Sequence, residues 1–108
     1  AIENLSMLFC VLLKDFPEHV ELRGSIRSAH QNYMALHEEH IVLGGPTSEN
    51  HDSDPNGTVL LLDFPDHESV IRFLDDDPYY KAGLFSDRTT TVWHPVRVSL
   101  EVLSKLAK

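Results

Sequence analysis

Four short apolar or β-branched segments and two segments with helical spacing follow one another in an order that few folds can accommodate. The predicted strands are Met7–Leu13, Ile41–Leu43, Thr58–Phe64 and Arg88–Ser99. One helix is predicted from Pro17 to about His40, and a second from its N-cap Asp66 to a stop at Asp75–Pro78. The order β-α-β-β-α-β, with right-handed crossovers, predicts an α+β ferredoxin-like fold, in which both helices cover one face of an antiparallel sheet.

The first predicted helix carries two stripes of residues at helical spacing. The apolar stripe consists of Leu22, Ile26, Ala29, Tyr33 and Leu36. The second stripe lies roughly 100° around the helix, and it consists of Arg23, Arg27, His30, Met34 and His37. We expect the apolar stripe to face the sheet and the second stripe to lie at its margin, beside a cleft.

The connecting segments contain turn-forming residues. Gly44–Pro46 is expected to stop the second strand, and residues 47–57, which hold no large apolar side chain, are expected to form a loop. Pro78–Ala82 is predicted to be a short extra turn closed by Gly83. His94–Pro95 is expected to place a bend or an edge within the last strand.

Composition is that of an ordinary globular protein. The 108 residues are 42% hydrophobic and 24% charged, and 17 acidic residues against 9 basic ones give a formal net charge of −8. Because this charge repels phosphate backbones, nucleic acid is not an expected partner. No apolar run is long enough to span a bilayer, and the single Cys10 fits a reducing compartment. We therefore expect a cytoplasmic protein without membrane contact.

A single domain is expected over residues 1–108. Residues 1–6 are set aside as a tag or a disordered N-terminus, and residues 100–108 form a C-terminal extension, either a short helix or an arm that reaches a partner subunit. Helices on one face leave the other face of the sheet uncovered. Because strands this apolar cannot face water at low cost, we predict a homodimer, with Trp93 packed in its core.

Several motifs resemble those of one known family. They are Arg27-x-x-His30, Gly44-Gly45-Pro46, Gly57-Thr58, and Asp77-Pro78-Tyr79 followed by Gly83. Over roughly residues 7–98, the chain resembles the YciI-like, or YCII-related, family of dimeric α+β barrel proteins. The resemblance implies a ferredoxin-like protomer, a dimer formed by sheet-on-sheet packing, and a pocket between helix and sheet. The acidic, histidine-containing loop and the C-terminal extension depart from the family pattern.

The resemblance also implies which residues form the site. A catalytic His–Asp dyad falls on His30 and Asp77. The substrate-binding residues that it implies are Arg27, Pro46, Thr58 and Tyr79. Family members with an assigned reaction resemble lyases or isomerases of ring-compound breakdown, including the dehydrochlorination of chlorinated hydroxyquinols.

These residues predict a small cofactor-independent enzyme, a lyase or an isomerase. His30 would act as general base or acid, and Asp77 would orient it, since a carboxylate-bound imidazole is a simple proton-transfer device. Arg27 would hold an anionic oxygen of a small cyclic substrate. The alternative is a non-catalytic dimeric module that binds a small ligand or stabilises a partner.

The same side chains have structural interpretations. His30 can be a helix-surface histidine at the margin of the core, and Arg27 can pair with Glu38. Asp77 can cap the helix that begins at Pro78. Capping and catalysis are compatible, because one carboxylate oxygen can cap while the other accepts from an imidazole.

Other residues are weaker candidates for the site. Of Tyr79 and Tyr80, one can donate to a substrate oxygen while the other packs, and Cys10 is expected to be a small core residue. His37–His40 lacks the zincin spacing, and His51–Asp52 adds ligands without fixing a third, so no resident metal is predicted. A metal-dependent oxygenase is the third hypothesis.

Overall fold

The computed structural model describes residues 7–106, whose strands form one antiparallel sheet in the spatial order β2-β3-β1-β4. The strands are β1 (Met7–Asp15), β2 (Ile41–Ser48), β3 (Pro55–Phe64) and β4 (Phe85–Val92). The helices are α1 (Val20–Leu36), α2 (His67–Asp75), α3 (Pro78–Lys81) and α4 (Leu100–Leu106). Two 3₁₀ turns, at Pro17–His19 and Glu38–His40, flank α1. Element order and topology confirm the predicted ferredoxin-like α+β fold. The tag or disordered terminus expected at residues 1–6, and the last two residues of the extension, lie outside the described residues.

The hydrophobic core lies on one face of the sheet, because alternate residues of β1 and β3 point to that face. Its buried members are Phe9, Val11, Leu13, Leu60, Leu62, Phe64, Val70, Phe73 and Leu74. Directly paired residues, such as Val11 and Leu60, share a face. On the opposite face Leu12 is 52% exposed. The apolar run of β1 is therefore buried on one face within a single chain, rather than on both.

Helix α1 buries a face that lies between the two predicted stripes. Of the apolar stripe, Ala29 is exposed and Leu36 is 76% exposed. Leu22, Ile26 and Tyr33 of the same stripe are partly buried, and Tyr33 packs against the core. The buried residues of α1 are Arg23 and His30, which belong to the second stripe. The predicted orientation is therefore confirmed for three residues of the apolar stripe and wrong for Ala29 and Leu36. Arg23 and His30 are buried more deeply because both polar side chains have buried hydrogen-bonding partners that remove most of the cost of burial.

Strand β2 is longer than predicted, and the loop after it is shorter. Gly44–Pro46 does not stop the strand, which continues to Ser48 and pairs with β3. Since β2 lies at the edge of the sheet, Pro46 can direct its missing N–H away from the ladder. The loop is consequently reduced to residues 49–54.

The last strand begins earlier than predicted and ends at Val92, before the His94–Pro95 bend that was expected inside it. Val96 and Val98, although β-branched, are exposed and belong to no strand. The extension then forms α4, so the helical alternative is confirmed, while contact with a partner subunit stays a prediction. No helix within residues 7–106 is long and apolar enough to cross a membrane.

Candidate active site

A cavity of about 450 Å³ lies between α1, the β2–β3 side of the sheet and the start of α3. A volume of this size suits a small ring compound. Five of the six predicted site residues line the cavity, namely Arg27, His30, Pro46, Thr58 and Tyr79. Asp77 lies behind this wall and is 1% exposed. The structure thus brings all six predicted site residues to one place, while their roles stay predictions.

His30 and Asp77 lie within hydrogen-bonding distance. The Nδ1 atom of His30 is 2.8 Å from the Oδ1 atom of Asp77, and His30 is 8% exposed. Because an ionised carboxylate can only accept a hydrogen bond, this contact favours the imidazole tautomer that carries its proton on Nδ1. The Nε2 atom makes no hydrogen bond within the described residues. A neutral His30 therefore has a free basic nitrogen at a residue that lines the cavity.

Asp77 is held in place by the helix that it caps. Its Oδ1 atom also accepts from the backbone N–H of Tyr79 at 3.0 Å, as expected for an N-cap that precedes Pro78. The two functions were expected to use separate oxygens, but Oδ1 serves both. The Oδ2 atom is buried and has no hydrogen-bond partner within residues 7–106. The carboxylate therefore cannot turn away without breaking the cap and the contact with His30 together.

Tyr79 covers the imidazole. Its ring lies 3.9 Å from the His30 ring, centroid to centroid, at an interplanar angle of 15°. Tyr79 is 2% exposed, and burial raises the pKa of its hydroxyl, although the positive charges of Arg23 and Arg27 act against this rise. Tyr79 is thus a neutral phenol at neutral pH, able to donate a hydrogen bond and to fix the plane of the imidazole.

Arg23 lines the cavity, where the second stripe was expected to lie, but the sequence did not single it out as a catalytic or binding residue. Its Nε atom donates to Asp15 Oδ2 at 2.7 Å, and its Nη2 atom lies 3.0 Å from Asp15 Oδ1. Nη2 also lies 3.0 Å from the Gly57 carbonyl oxygen and from Thr58 Oγ1. The guanidinium carbon is 4.8 Å from the centroid of the Tyr79 ring. One available signal was its spacing: Arg23 precedes His30 by seven residues, which is two turns on the same helix face.

Gly57 makes this arrangement possible. A Cβ atom at this position would collide with the Leu13 carbonyl oxygen and would lie 2.9 Å from Thr47 Oγ1. Only glycine therefore lets β3 run this close to β1 and β2, and its carbonyl oxygen then reaches Arg23.

The other predicted binding residues differ in how deeply they are buried in the cavity wall. Arg27 is exposed, and neither Glu38 nor any other carboxylate of residues 7–106 forms an ion pair with it. Thr58 is buried, and its hydroxyl accepts from Arg23. Pro46 contributes a side chain from the edge strand. Arg27 is therefore an unpaired cation at the cavity, whereas the charge of Arg23 is offset by Asp15.

Several alternative candidates pack elsewhere. The exposed Tyr80 lies against Arg88, whose guanidinium carbon is 4.5 Å from its ring centroid. Cys10 is partly buried and pairs with Leu61 on the sheet face opposite the core, so its placement within the core was wrong for a single chain. Trp93, expected in the dimer core, is exposed in the single chain.

The histidines of the metal hypothesis have structural contacts. The His37 ring packs against Tyr33 and Phe73. His40 Nδ1 lies 2.8 Å from the Asp63 carbonyl oxygen, and its ring stacks on Phe64. Throughout residues 7–106, no three His, Cys, Asp or Glu side chains are grouped closely enough to hold a metal ion.

The sequence is similar to the sequences of known proteins. Residues 7–94 match the YCII-related domain family. Protein YciI of Escherichia coli O6:H1 is 29% identical over 86 residues, which cover 73% of this chain and 88% of that protein. Protein YciI of Shigella flexneri matches to the same extent.

The structure is also similar to solved structures. One is 5-chloro-2-hydroxyhydroquinone dehydrochlorinase (TftG) from Burkholderia phenoliruptrix, in complex with 2,5-dihydroxybenzoquinone. Its TM-score is 0.76 and its sequence identity 32%, with 82% of this chain and 94% of that chain covered. A protein of Pseudomonas aeruginosa shares the fold with a TM-score of 0.51 and 13% identity, covering 87% of this chain and 97% of its own.

Proposed function

The chain belongs to the YCII-related family, and from this membership we propose that it is an acid–base enzyme of the lyase type. One observation carries the proposal. The imidazole of His30 lies 2.8 Å from a buried carboxylate, at a cavity large enough for a small ring compound. A histidine that only filled the core margin would not need its Nδ1 atom bound to a carboxylate and its Nε2 atom free of protein partners.

The reaction is a proton abstraction followed by the loss of a leaving group. Nε2 of His30 removes a proton from a ring carbon next to a carbonyl, or from a ring hydroxyl. In the keto tautomer of the ring, where the carbon that bears the leaving group is tetrahedral, the electron pair of the broken bond forms a new double bond toward that carbon and expels the leaving group as an anion, so that the substrate loses one acid molecule, such as HCl. Asp77 stabilises the imidazolium that forms, and His30 then returns the proton to solvent. These steps require no cofactor.

The substrate class is a small hydroxylated ring compound that carries a leaving group. Arg27, as the unpaired cation of the cavity, would hold an anionic oxygen of this compound. The buried hydroxyl of Tyr79 would donate to another ring oxygen. TftG, which is 32% identical to this chain, is a 5-chloro-2-hydroxyhydroquinone dehydrochlorinase, so a chlorinated hydroxyhydroquinone is the first substrate to test.

Assembly as a homodimer belongs to the same proposal. The sheet face opposite the core carries apolar side chains from three strands, and Leu12 and Leu43 are among its exposed members. A second copy packed against this face would bury them without covering the cavity, which lies on the helical side. A reducing location such as the cytoplasm fits the unpaired Cys10.

The test is an anaerobic assay of the full chain with 5-chloro-2-hydroxyhydroquinone, because hydroquinones oxidise in air. Chloride release is measured by ion chromatography, and the organic product by mass spectrometry. We expect protein-dependent release of one chloride per substrate molecule, lost in His30→Ala and kept in His51→Ala, whose histidine lies in the 49–54 loop. Absence of turnover with this compound and with a panel of halogenated hydroxylated ring compounds would reject the proposed enzymatic activity. Binding of 2,5-dihydroxybenzoquinone without turnover would favour the non-catalytic module.

A further inference from the structure

We infer that Arg23 is a catalytic residue that holds the substrate oxygen on which negative charge develops while His30 takes the proton. This inference rests on the proposed function, and it assigns a different role to each of the two arginines of the cavity. Arg27 binds the substrate by its charge, whereas Arg23 donates hydrogen bonds in a fixed geometry during the reaction.

Arg23 is immobilised to a degree unusual for an arginine. Nε and Nη2 together make four contacts of 2.7 to 3.0 Å, to the Asp15 carboxylate, the Gly57 carbonyl oxygen and the Thr58 hydroxyl. These partners come from β1 and β3, so both central strands of the sheet hold the guanidinium. A donor that is fixed before the reaction needs no reorganisation when charge develops beside it, and such donors stabilise transition states strongly.

The remaining guanidinium nitrogen, Nη1, takes part in none of the short hydrogen bonds that Arg23 makes within residues 7–106, although Arg23 also lies close enough to the Tyr79 hydroxyl for a hydrogen bond that lowers the pKa of that hydroxyl. Nη1 is not among the fully buried polar atoms that lack a partner, and Arg23 lines the cavity. The N–H groups of Nη1 are therefore the part of this clamped side chain that the cavity can reach.

Arg23 and His30 are placed to act on one substrate. They lie two turns apart on the same face of α1, with Cα atoms separated by roughly 10.5 Å at a rise of 1.5 Å per residue. Both side chains contact the ring of Tyr79, Arg23 at 4.8 Å and His30 at 3.9 Å. A ring compound that lies along Tyr79 in the cavity would meet the base at one end and the fixed donor at the other.

Stability alone is a weak explanation for the Arg23–Asp15 pair. Buried ion pairs are often replaced by apolar residues of similar volume without loss of stability, because desolvation offsets their attraction. Here the pair is buried at the wall of a cavity and leaves one donor nitrogen unused. That geometry is expected of a functional group with a rigid support.

The test compares matched arginine-to-lysine variants in the chloride-release assay, since lysine keeps the charge and loses the planar fork. Removing one fixed donor of this kind typically lowers kcat about 10²- to 10³-fold, and we expect Arg23→Lys to do so with KM changed little. Arg27→Lys should mainly raise KM. Arg72→Lys, on the exposed face of α2, should match the wild type. An Arg23→Lys variant that keeps kcat within about threefold of wild type would overturn the inference.

A second measurement separates catalysis from folding. Arg23→Ala leaves space for a guanidinium ion, and millimolar guanidinium chloride should restore part of its kcat, whereas ammonium chloride at equal ionic strength should not. Circular dichroism confirms that the variant is folded, and failure of guanidinium to restore activity to a folded variant overturns the inference. If the wild type turns over no substrate, both proposals fall. If wild-type activity depends on His30 but not on Arg23, only the present inference falls.

Discussion

The Nδ1 atom of His30 and the Oδ1 atom of Asp77 lie 2.8 Å apart, although 47 positions separate these residues in the chain. The contact joins the middle of α1 to the N-cap of α3. Because the same Asp77 oxygen also caps α3, a local element of secondary structure holds the carboxylate against the imidazole. Asp77 therefore serves both the cap of α3 and the orientation of His30.

Replacement of His30 by Ala should lower chloride release by about 10²- to 10⁴-fold, the usual contribution of one general acid–base group. The variant should also lose about 1–3 kcal/mol of stability, since the buried Asp77 carboxylate loses a donor. Activity must therefore be assayed below the melting temperature found by circular dichroism. Wild-type kcat in a folded His30→Ala protein would contradict the mechanism.

Replacement of Asp77 by Asn should lower kcat while keeping the cap, because Asn is as good an N-cap as Asp. Asp66 provides a matched control: its Oδ1 atom accepts from Ser69 N at 2.8 Å at the start of α2, away from the cavity. We expect Asp66→Asn to leave kcat unchanged and Asp77→Asn to reduce it by about 10²-fold or more. Because one oxygen makes both contacts, the amide oxygen of the variant can keep the cap and still accept from Nδ1, so nitrogen NMR should show the proton of His30 still on Nδ1 and the lower kcat should report the lost negative charge. Equal kcat values in the two variants would show that Asp77 acts only as a cap.

Stability should fall at high pH because of Tyr33. Burial, followed by the charges of Asp76 and Asp77, raises the pKa of Tyr33 from 10.0 to about 12. The folded state therefore retains this proton where the unfolded state has lost it, so the stabilisation is complete below pH 10.0 and is lost as the pH rises through about 12. Urea unfolding at several alkaline pH values, with Tyr33→Phe as the reference, measures the effect. A Phe variant with the same loss of stability over this interval would contradict the assignment.

Replacement of Leu12 by Glu should dissociate the proposed homodimer. Leu12 is 52% exposed on the sheet face opposite the core, where a second copy is expected to pack. A carboxylate there would be desolvated by association, which is costly without a partner. Analytical ultracentrifugation should find a dimer for the wild type and a folded monomer for Leu12→Glu. A wild-type monomer at micromolar concentration would refute the dimer.

Replacement of Gly57 by Ala should destabilise the protein by about 1–3 kcal/mol, because the added methyl group collides with the backbone of β1. Gly24 in α1 is the control, since a Cβ atom there meets no other atom within 4 Å. Gly24→Ala should instead stabilise the protein by up to about 1 kcal/mol through helix propensity. Urea denaturation of the two variants checks the opposite signs, and equal effects would show that the close approach at Gly57 is not the cause.

The order of the strands and helices could be predicted because apolar periodicity reports directly on burial. Boundaries were less predictable where tertiary position overrides local preference. Pro46 would interrupt a central strand but is tolerated in an edge strand, and which strand lies at the edge depends on topology. Val96 and Val98 favour extended structure, yet neither belongs to a strand.

The face that α1 buries could not be predicted from apolar spacing, because two polar residues lie inside it. Arg23 is buried with Asp15, and His30 is buried with Asp77. The pairing of His30 depends on where a segment 47 positions away lies, and the pairing of Arg23 depends on how α1 packs against the end of β1. The pattern of the helix contains neither. The family motifs included His30 and Asp77, and their meeting in space follows that expectation, while their catalytic roles stay predictions. Arg23 belonged to no family motif and was expected only to lie beside the cleft, so its candidacy as a site residue rests on its contacts.

Because a single rigid helix carries both Arg23 and His30, the distance between the proposed base and the proposed donor cannot be tuned by small side-chain changes. The opposite wall, built from the edge strand β2 and the 49–54 loop, lacks this constraint. We therefore expect divergence of substrate preference among relatives to be concentrated in that wall. Engineering toward a new ring compound should begin with Pro46 and Asp54, both of which border the cavity, and should leave α1 untouched.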